Sequence, residues 1–247
     1  MLLGITVVFA LSVHSAKKYV CPCWDLMIIG GCALLVALPA GSLLYIAITY
    51  DFATIASHII AGNFEALGGS VFYGALIGGI LGGILGIHVA KANIGTVEKT
   101  IIPYIPIGHA VGRIGCLLAG CCYGMKYSGP FAVYYPNSIA GAFPQQGYFP
   151  VQILEAMLNV IISLILTRIR NKTSRKFQLL AVYLMFYGFV RFLLELLRGD
   201  AIRGFYFGIS TSQWISLGLF AVSLSYIICL KLFKSKATSV NISQKNF

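Results

Sequence analysis

Three charges interrupt the apolar stretch Leu179–Arg198: Arg191, Glu195 and Arg198. The stretch matches the ~20 residues that a membrane-crossing helix needs. In a helix, the spacings i, i+4 and i+7 put two guanidinium groups and a carboxylate on one stripe. A charge at mid-membrane costs about 3 kcal/mol unless it is paired or lines a polar cavity, so such groups mark candidate sites. The competing reading is a helix-end ion pair that snorkels to the interface. A further guanidinium, Arg113, sits in a second apolar stretch, IPYIPIGHAVGRIGCLLAGCCYG, and weighs against that reading.

Of the 247 residues, 58% are hydrophobic and 10% charged, the composition of a polytopic membrane protein. Eighteen basic residues against seven acidic ones give a net charge of +11. The basic residues cluster between apolar runs and carry no aromatic interleaving. They therefore read as topology signals and contacts to anionic headgroups rather than a nucleic-acid surface.

Seven apolar segments are expected to cross the membrane as helices: 1–16, 26–49, 70–90, 101–121, 151–168, 178–197 and 213–233. The first is short. Its positive charges follow the apolar run instead of preceding it, so it reads as a span and not as a signal peptide. The third is rich in glycine, which permits close helix contact. The fourth contains Pro103, Pro106, Gly108, Gly112 and Gly115 and is expected to be bent or partly re-entrant.

Lys17 and Lys18, Lys91 and Lys99, Arg168 to Lys176, and Lys231 to Lys236 then fall on one side, which the positive-inside rule makes cytoplasmic. The expected fold is all-α: seven transmembrane helices, N-terminus outside and C-terminus cytoplasmic. Residues 1–236 form one transmembrane domain, and 237–247 a polar cytoplasmic tail expected to be disordered.

This topology gathers the intramembrane polar groups near the outer leaflet. Tyr73 starts span three, Gln152 and Glu155 start span five, and Glu195 and Arg198 end span six with Arg191 a turn deeper. Arg113 lies in the outer half of span four. The outer loop 123–150 is rich in Tyr, Pro and Gly, and the connection 198–212 carries Asp200 and Arg203. No P-loop accompanies these groups, so nucleotide chemistry is not indicated.

Seven cysteines include Cys21-Pro-Cys23 and Cys116-x4-Cys121-Cys122. Neither group has the paired CxxC spacing of a zinc site, so no metal and no cofactor is expected.

The ordered motifs GRIGCLLAGCCYG, FPVQILEAMLN, YGFVRFLLELLRGD and STSQWISLGL resemble the prolipoprotein diacylglyceryl transferase family over residues 26–235. That resemblance implies a multi-pass enzyme of the bacterial inner membrane with its site facing the extracytoplasmic side. It would transfer diacylglyceryl from phosphatidylglycerol to the thiol of a lipobox cysteine in a prolipoprotein signal peptide, releasing glycerol phosphate. Arg113 matches the Arg of the GRxGN motif, Arg191 and Glu195 match RxxxE, Gln152 and Glu155 match SQxxE, and Gly124 closes the signature. The resemblance makes Arg113 and Arg191 the holders of phosphate oxygens, with Glu195 orienting Arg191, and Gln152, Glu155, Arg198, Gly124 and His109 on the substrate side.

The chain departs from the family pattern at three positions. Tyr73 stands for the His of HGG, Cys116 for the Asn of GRxGN and Cys121 for the signature Glu. A phenol is a poor base at neutral pH beside an imidazole, and His109, one helical turn before Arg113, is a candidate replacement. Cys121 is a candidate nucleophile if cationic neighbours lower its pKa; a space-filling residue or a disulfide partner is the bland alternative. These departures leave open a relative that binds phospholipid without catalysis or uses another acceptor.

Overall fold

In this computed structural model, residues 2–62, 72–139, 141–173, 175–199 and 205–245 are described. The chain is a helical membrane protein. Among the described residues, five helices are long and apolar enough to cross a bilayer, and Tyr73–Val89 is a shorter apolar helix. In chain order the helices are α1 (Leu2–Tyr19), α2 (Cys23–Thr49), α3 (Phe52–Ile60), α4 (Phe72–Val89), α5 (Ile94–Ile101), α6 (Ile105–Ala119), α7 (Val151–Ile169), α8 (Gln178–Glu195) and α9 (Thr211–Lys245). Short α3 was not expected, and α9 runs on as helix through most of the polar tail. Residues 70 and 71 of the expected third span, and Asp200 and Arg203, lie outside the described residues.

The chain divides into two compact units, residues 15–97 and residues 1–14 with 98–247. In the first, α4 packs along α2 through Gly74, Gly78, Gly82 and Gly86, one glycine per turn. A Cβ on Gly74 would stand 2.5 Å from the Ala40 carbonyl oxygen, and one on Gly86 2.7 Å from Ile29 Cα. Only a helix without side chains on that stripe lets the two backbones approach so closely. Tyr73, in the first turn of α4, is buried.

The second unit is built on α6, α7, α8 and α9. Its prolines are compensated locally. Pro103 has no N–H to offer Lys99, whose carbonyl instead accepts from Arg170 Nη1 at 3.2 Å. The carbonyl of Ile102, denied a bond by Pro106, takes the N–H of Ile105 in a short 3-10 turn. The Pro103 carbonyl accepts from Ser163 Oγ at 2.6 Å. Pro103 and Pro106 therefore do not break the segment: α5, the 3-10 turn and α6 form one apolar stretch from Ile94 to Ala119.

The two ends of this unit differ in chemistry. At one end Arg170 meets Lys99 and Tyr104, Glu98 Oε1 accepts from Leu180 N at 3.0 Å, and Tyr226 donates to the Lys176 carbonyl at 2.7 Å. The basic connections before α6 and after α7 thus share an end. At the other end the loop 120–150 folds on itself around Tyr123, Tyr135 and Tyr148, with ring centroids 4.5–6.2 Å apart.

Candidate active site

Three helices each present a polar stripe at helical spacing. On α6 it is His109, Arg113 and Cys116; on α7 it is Gln152, Glu155 and Asn159; on α8 it is Tyr187, Arg191 and Glu195. Gln152, Glu155, Asn159, Arg113 and Arg191 are all buried. Polar side chains in the interior of apolar helices persist only when they satisfy one another.

Glu155 joins the stripes. Its Oε1 lies 3.1 Å from Arg113 Nε, and its Oε2 lies 3.6 Å from Arg191 Nη1. Arg191 Nη2 is 2.9 Å from Glu195 Oε2, one helical turn on. Cation and anion therefore alternate from α6 through α7 to α8. Ser210 Oγ completes the chain by donating to Glu195 Oε1 at 3.2 Å. Sequence reasoning gave Glu155 a substrate-side place and did not foresee this bridging one. The polar stripe Gln152, Glu155, Asn159 in an apolar helix was the signal available for it.

His109 Nε2 accepts the Arg113 Nε–H at 3.2 Å and also lies 3.6 Å from Glu155 Oε1. Both cannot be hydrogen bonds of one protonation state. The guanidinium always donates, so Nε2 is the acceptor and the imidazole is neutral. Its ring packs against Tyr187 with centroids 5.4 Å apart. That arrangement spends the Nε2 lone pair on positioning Arg113.

Arg198 does not continue the stripe of Arg191 and Glu195, because α8 stops at Glu195. The next three residues tighten into turns, with Arg198 N donating to Glu195 O at 3.3 Å. Arg198 then pairs with Gly124 in an isolated antiparallel bridge, and Met125 N donates to Leu197 O at 2.8 Å. A Cβ on Gly124 would come within 2.5 Å of the Phe149 carbonyl oxygen, which explains glycine at this crossing. Gln152 Nε2 reaches the same region, donating to the Cys121 carbonyl at 2.9 Å and to Tyr135 Oη at 3.0 Å.

The end of α6 brings the cysteines together. Gly120 is left-handed (φ 63°), Gly120 N donates to Leu117 O and Cys121 N to Cys116 O at 3.1 Å, a Schellman closure. Cys122 is left-handed in turn, with φ 56°. Burial pushes the Cys121 thiol up, with the neighbouring Cys122 adding to it; the Arg113 charge pulls on that thiol but is outweighed. Cys122 is the thiol pulled down, to about 4, by its hydrogen bond with Cys116 and then by the Arg198 and Arg113 guanidiniums. Tyr73 belongs to the other compact unit.

Comparison with known proteins agrees with the motif order. Residues 1–229 match the family model described as prolipoprotein diacylglyceryl transferase. A phosphatidylglycerol–prolipoprotein diacylglyceryl transferase 2 of Clostridium perfringens is 35% identical over 150 residues, 60% of this chain and 57% of the relative. The corresponding transferase of Clostridium tetani is 34% identical over 60% of this chain and 59% of its own length. That of Dehalococcoides mccartyi is 26% identical over 79% of this chain and 75% of its own. The matched stretch thus spans somewhat over half the length of the two Clostridium relatives.

Proposed function

This chain belongs to the prolipoprotein diacylglyceryl transferase family, and on that premise we propose that it moves a diacylglyceryl group from an anionic phospholipid to an acceptor thiol. The donor is phosphatidylglycerol or a close analogue, and the acceptor a lipobox cysteine. The observation that carries this reading is the buried pair Arg113 and Arg191 held on either side of Glu155. Three guanidiniums, counting Arg198, stand near two carboxylates, Glu155 and Glu195. The excess of one positive charge complements a phosphodiester anion.

In the proposed reaction the acceptor sulfur attacks the glyceryl carbon, the carbon–oxygen bond to phosphate breaks, and glycerol phosphate leaves. The thiol proton passes to a base. Arg113 and Arg191 receive the leaving phosphate, Glu195 holds Arg191, and Gln152 and Gly124 fix the loop over the site. A catalytic role for Tyr73 and for Cys121 is part of the proposal.

Seven spans with the site toward the outer leaflet of the inner membrane, the N-terminus outside and the C-terminus cytoplasmic, complete the reading. Its support is that the basic connections share one end of the second unit while Gln152, Cys121 and Arg198 share the other.

The test is headgroup release from labelled phosphatidylglycerol by purified protein with a lipobox peptide. Wild type should release glycerol phosphate and lipidate the peptide. Arg113→Ala and Arg191→Ala should each lose turnover by at least a hundredfold while remaining folded. Turnover retained in both variants overturns the assignment. A second reading, a phospholipid-binding relative without this transfer or with another acceptor, is favoured by Tyr73, Cys116 and Cys121 replacing the family's His, Asn and Glu. It predicts saturable lipid binding with no headgroup released.

A further inference from the structure

The closure that ends α6 folds Cys121 and Cys122 back onto Cys116, and the three Sγ atoms lie within 4.8 Å of one another. All three residues are free of disulfides and half-buried. The Cys122 thiol is hydrogen-bonded to both Cys116 and Arg198, and the Arg113 charge acts on it and on Cys116. We propose that Cys116, Cys121 and Cys122 form a three-thiolate site for a soft, thiophilic metal cation, with three-coordinate Cu(I) as the best match.

Geometry comes first. A metal–sulfur bond of ~2.3 Å sets sulfur–sulfur separations near ~4 Å in a three-coordinate site. The observed cluster therefore needs its side chains to draw in by less than about 1 Å, within the reach of χ1 adjustments. The sequence spacing x4 followed by a vicinal pair does not resemble a zinc motif. The Schellman closure nevertheless brings the three thiols together, because left-handed Gly120 reverses the chain four residues after Cys116.

Ligand chemistry then selects the ion. The group consists of three sulfurs with no imidazole or carboxylate in it. All-thiolate sites favour Cu(I), Zn(II) and related soft ions over hard, oxygen-seeking ones. Zinc in a structural site takes four ligands, whereas Cu(I) is satisfied by three. Three thiolates with Cu(I) carry two negative charges, and the Arg198 and Arg113 charges that act on Cys122 offset part of them. On binding, each sulfur still protonated gives its proton to solvent as the metal–sulfur bond forms, and no atom changes oxidation state.

Full-length protein, reduced and kept anaerobic in detergent, would be titrated with Cu(I) against a chromophoric chelator. One Cu(I) per chain is expected. Cys116→Ser, Cys121→Ser and Cys122→Ser should each weaken binding at least tenfold. A variant with Cys21, Cys23, Cys32 and Cys229 all replaced by Ser should bind as wild type does.

Alkylation mapped by mass spectrometry reads the same site without any substitution: Cu(I) should protect Cys116, Cys121 and Cys122 and leave Cys23 open. Equal binding by a Cys116→Ser/Cys121→Ser/Cys122→Ser protein, no stoichiometric binding, or protection of other cysteines instead would overturn the site. Tighter binding of Zn(II) than of Cu(I), measured the same way, would overturn the choice of ion.

Discussion

Replacing Glu155 with Gln removes one charge and almost no volume, and it should be among the costliest single changes in the protein. The carboxylate faces Arg113 at 3.1 Å and Arg191 at 3.6 Å. Charge centres lie somewhat further apart than these atoms. At ~4 Å and an effective dielectric of ~20, each attraction is about 4 kcal/mol before desolvation is counted. Releasing the carboxylate from its own burial returns several kcal/mol. Breaking a buried pair by removing one partner typically costs 3–5 kcal/mol, and we expect Glu155→Gln near the middle of that range.

Glu195→Gln should cost less, because Arg191, which Glu195 faces at 2.9 Å, keeps Glu155 as a second carboxylate. Thermal unfolding in detergent micelles would be measured for both variants and for Arg113→Met/Glu155→Gln. Glu155→Gln should unfold about 10 °C below wild type, at 2–4 °C per kcal/mol for a chain of this size. The double variant should recover part of the loss, because it no longer buries at α6 the guanidinium that faces Glu155, whereas Arg191 keeps Glu195 in both proteins. A Glu155→Gln protein within ~1 kcal/mol of wild type, or a larger loss from Glu195→Gln, would refute the bridging role.

Four further outcomes follow from packing and hydrogen bonding. Gly78→Leu should lower the unfolding temperature by the equivalent of about 2 kcal/mol, because a Cβ there stands 2.6 Å from Ala40 Cβ and 2.8 Å from the Val36 carbonyl oxygen. Gly83→Ala, with nothing within 4 Å, should be neutral or stabilising in the same scan. Gly124→Ala meets backbone oxygens of Phe149 and Leu197 that cannot step aside, and limited proteolysis should open the 120–150 loop in that variant but not in wild type. Ser210→Ala removes the donor to Glu195 Oε1 and should cost about 1 kcal/mol. Headgroup release in Ser210→Ala should fall more in kcat than in KM, and Ser210→Thr should restore it.

Much of the helical layout was readable from apolar run length, because a membrane helix announces itself by composition. The apolar runs starting at 26, 101, 151, 178 and 213 correspond to helices or helical stretches of the structure. Short α3 escaped because nine residues between glycine and acidic flanks carry no spanning signal. The site was readable as residues and not as contacts. Motif order picked out Arg113, Gln152, Glu155, Arg191 and Glu195, yet which carboxylate faces which guanidinium depends on the rotation of α7 against α6 and α8. Arg198 was misplaced on a helical stripe because nothing in LLELLR marks the stop after Glu195; in the structure Arg198 instead pairs with Gly124 in an isolated bridge. The position of Cys122 beside Cys116 was not readable, because it follows from two left-handed residues, Gly120 and Cys122, that spacing does not reveal.

The alternation of charge across α6, α7 and α8 also bears on why an anion site would contain its own carboxylates. Two bare guanidiniums in an apolar bundle would repel each other and destabilise the fold. Glu155 holds them at fixed positions in the resting protein, so they need no reorganisation when substrate arrives. In the proposed reaction a phosphodiester with one negative charge becomes a phosphate monoester that gains another as the carbon–oxygen bond breaks. Attraction to Arg113 and Arg191 therefore grows along the reaction coordinate, while their attraction to Glu155 does not. Only interactions that strengthen toward the transition state accelerate the chemistry. A shared carboxylate lowers the affinity for the ground-state lipid and leaves that growing term intact, so the bridge that stabilises the bundle also favours turnover over tight binding of the donor.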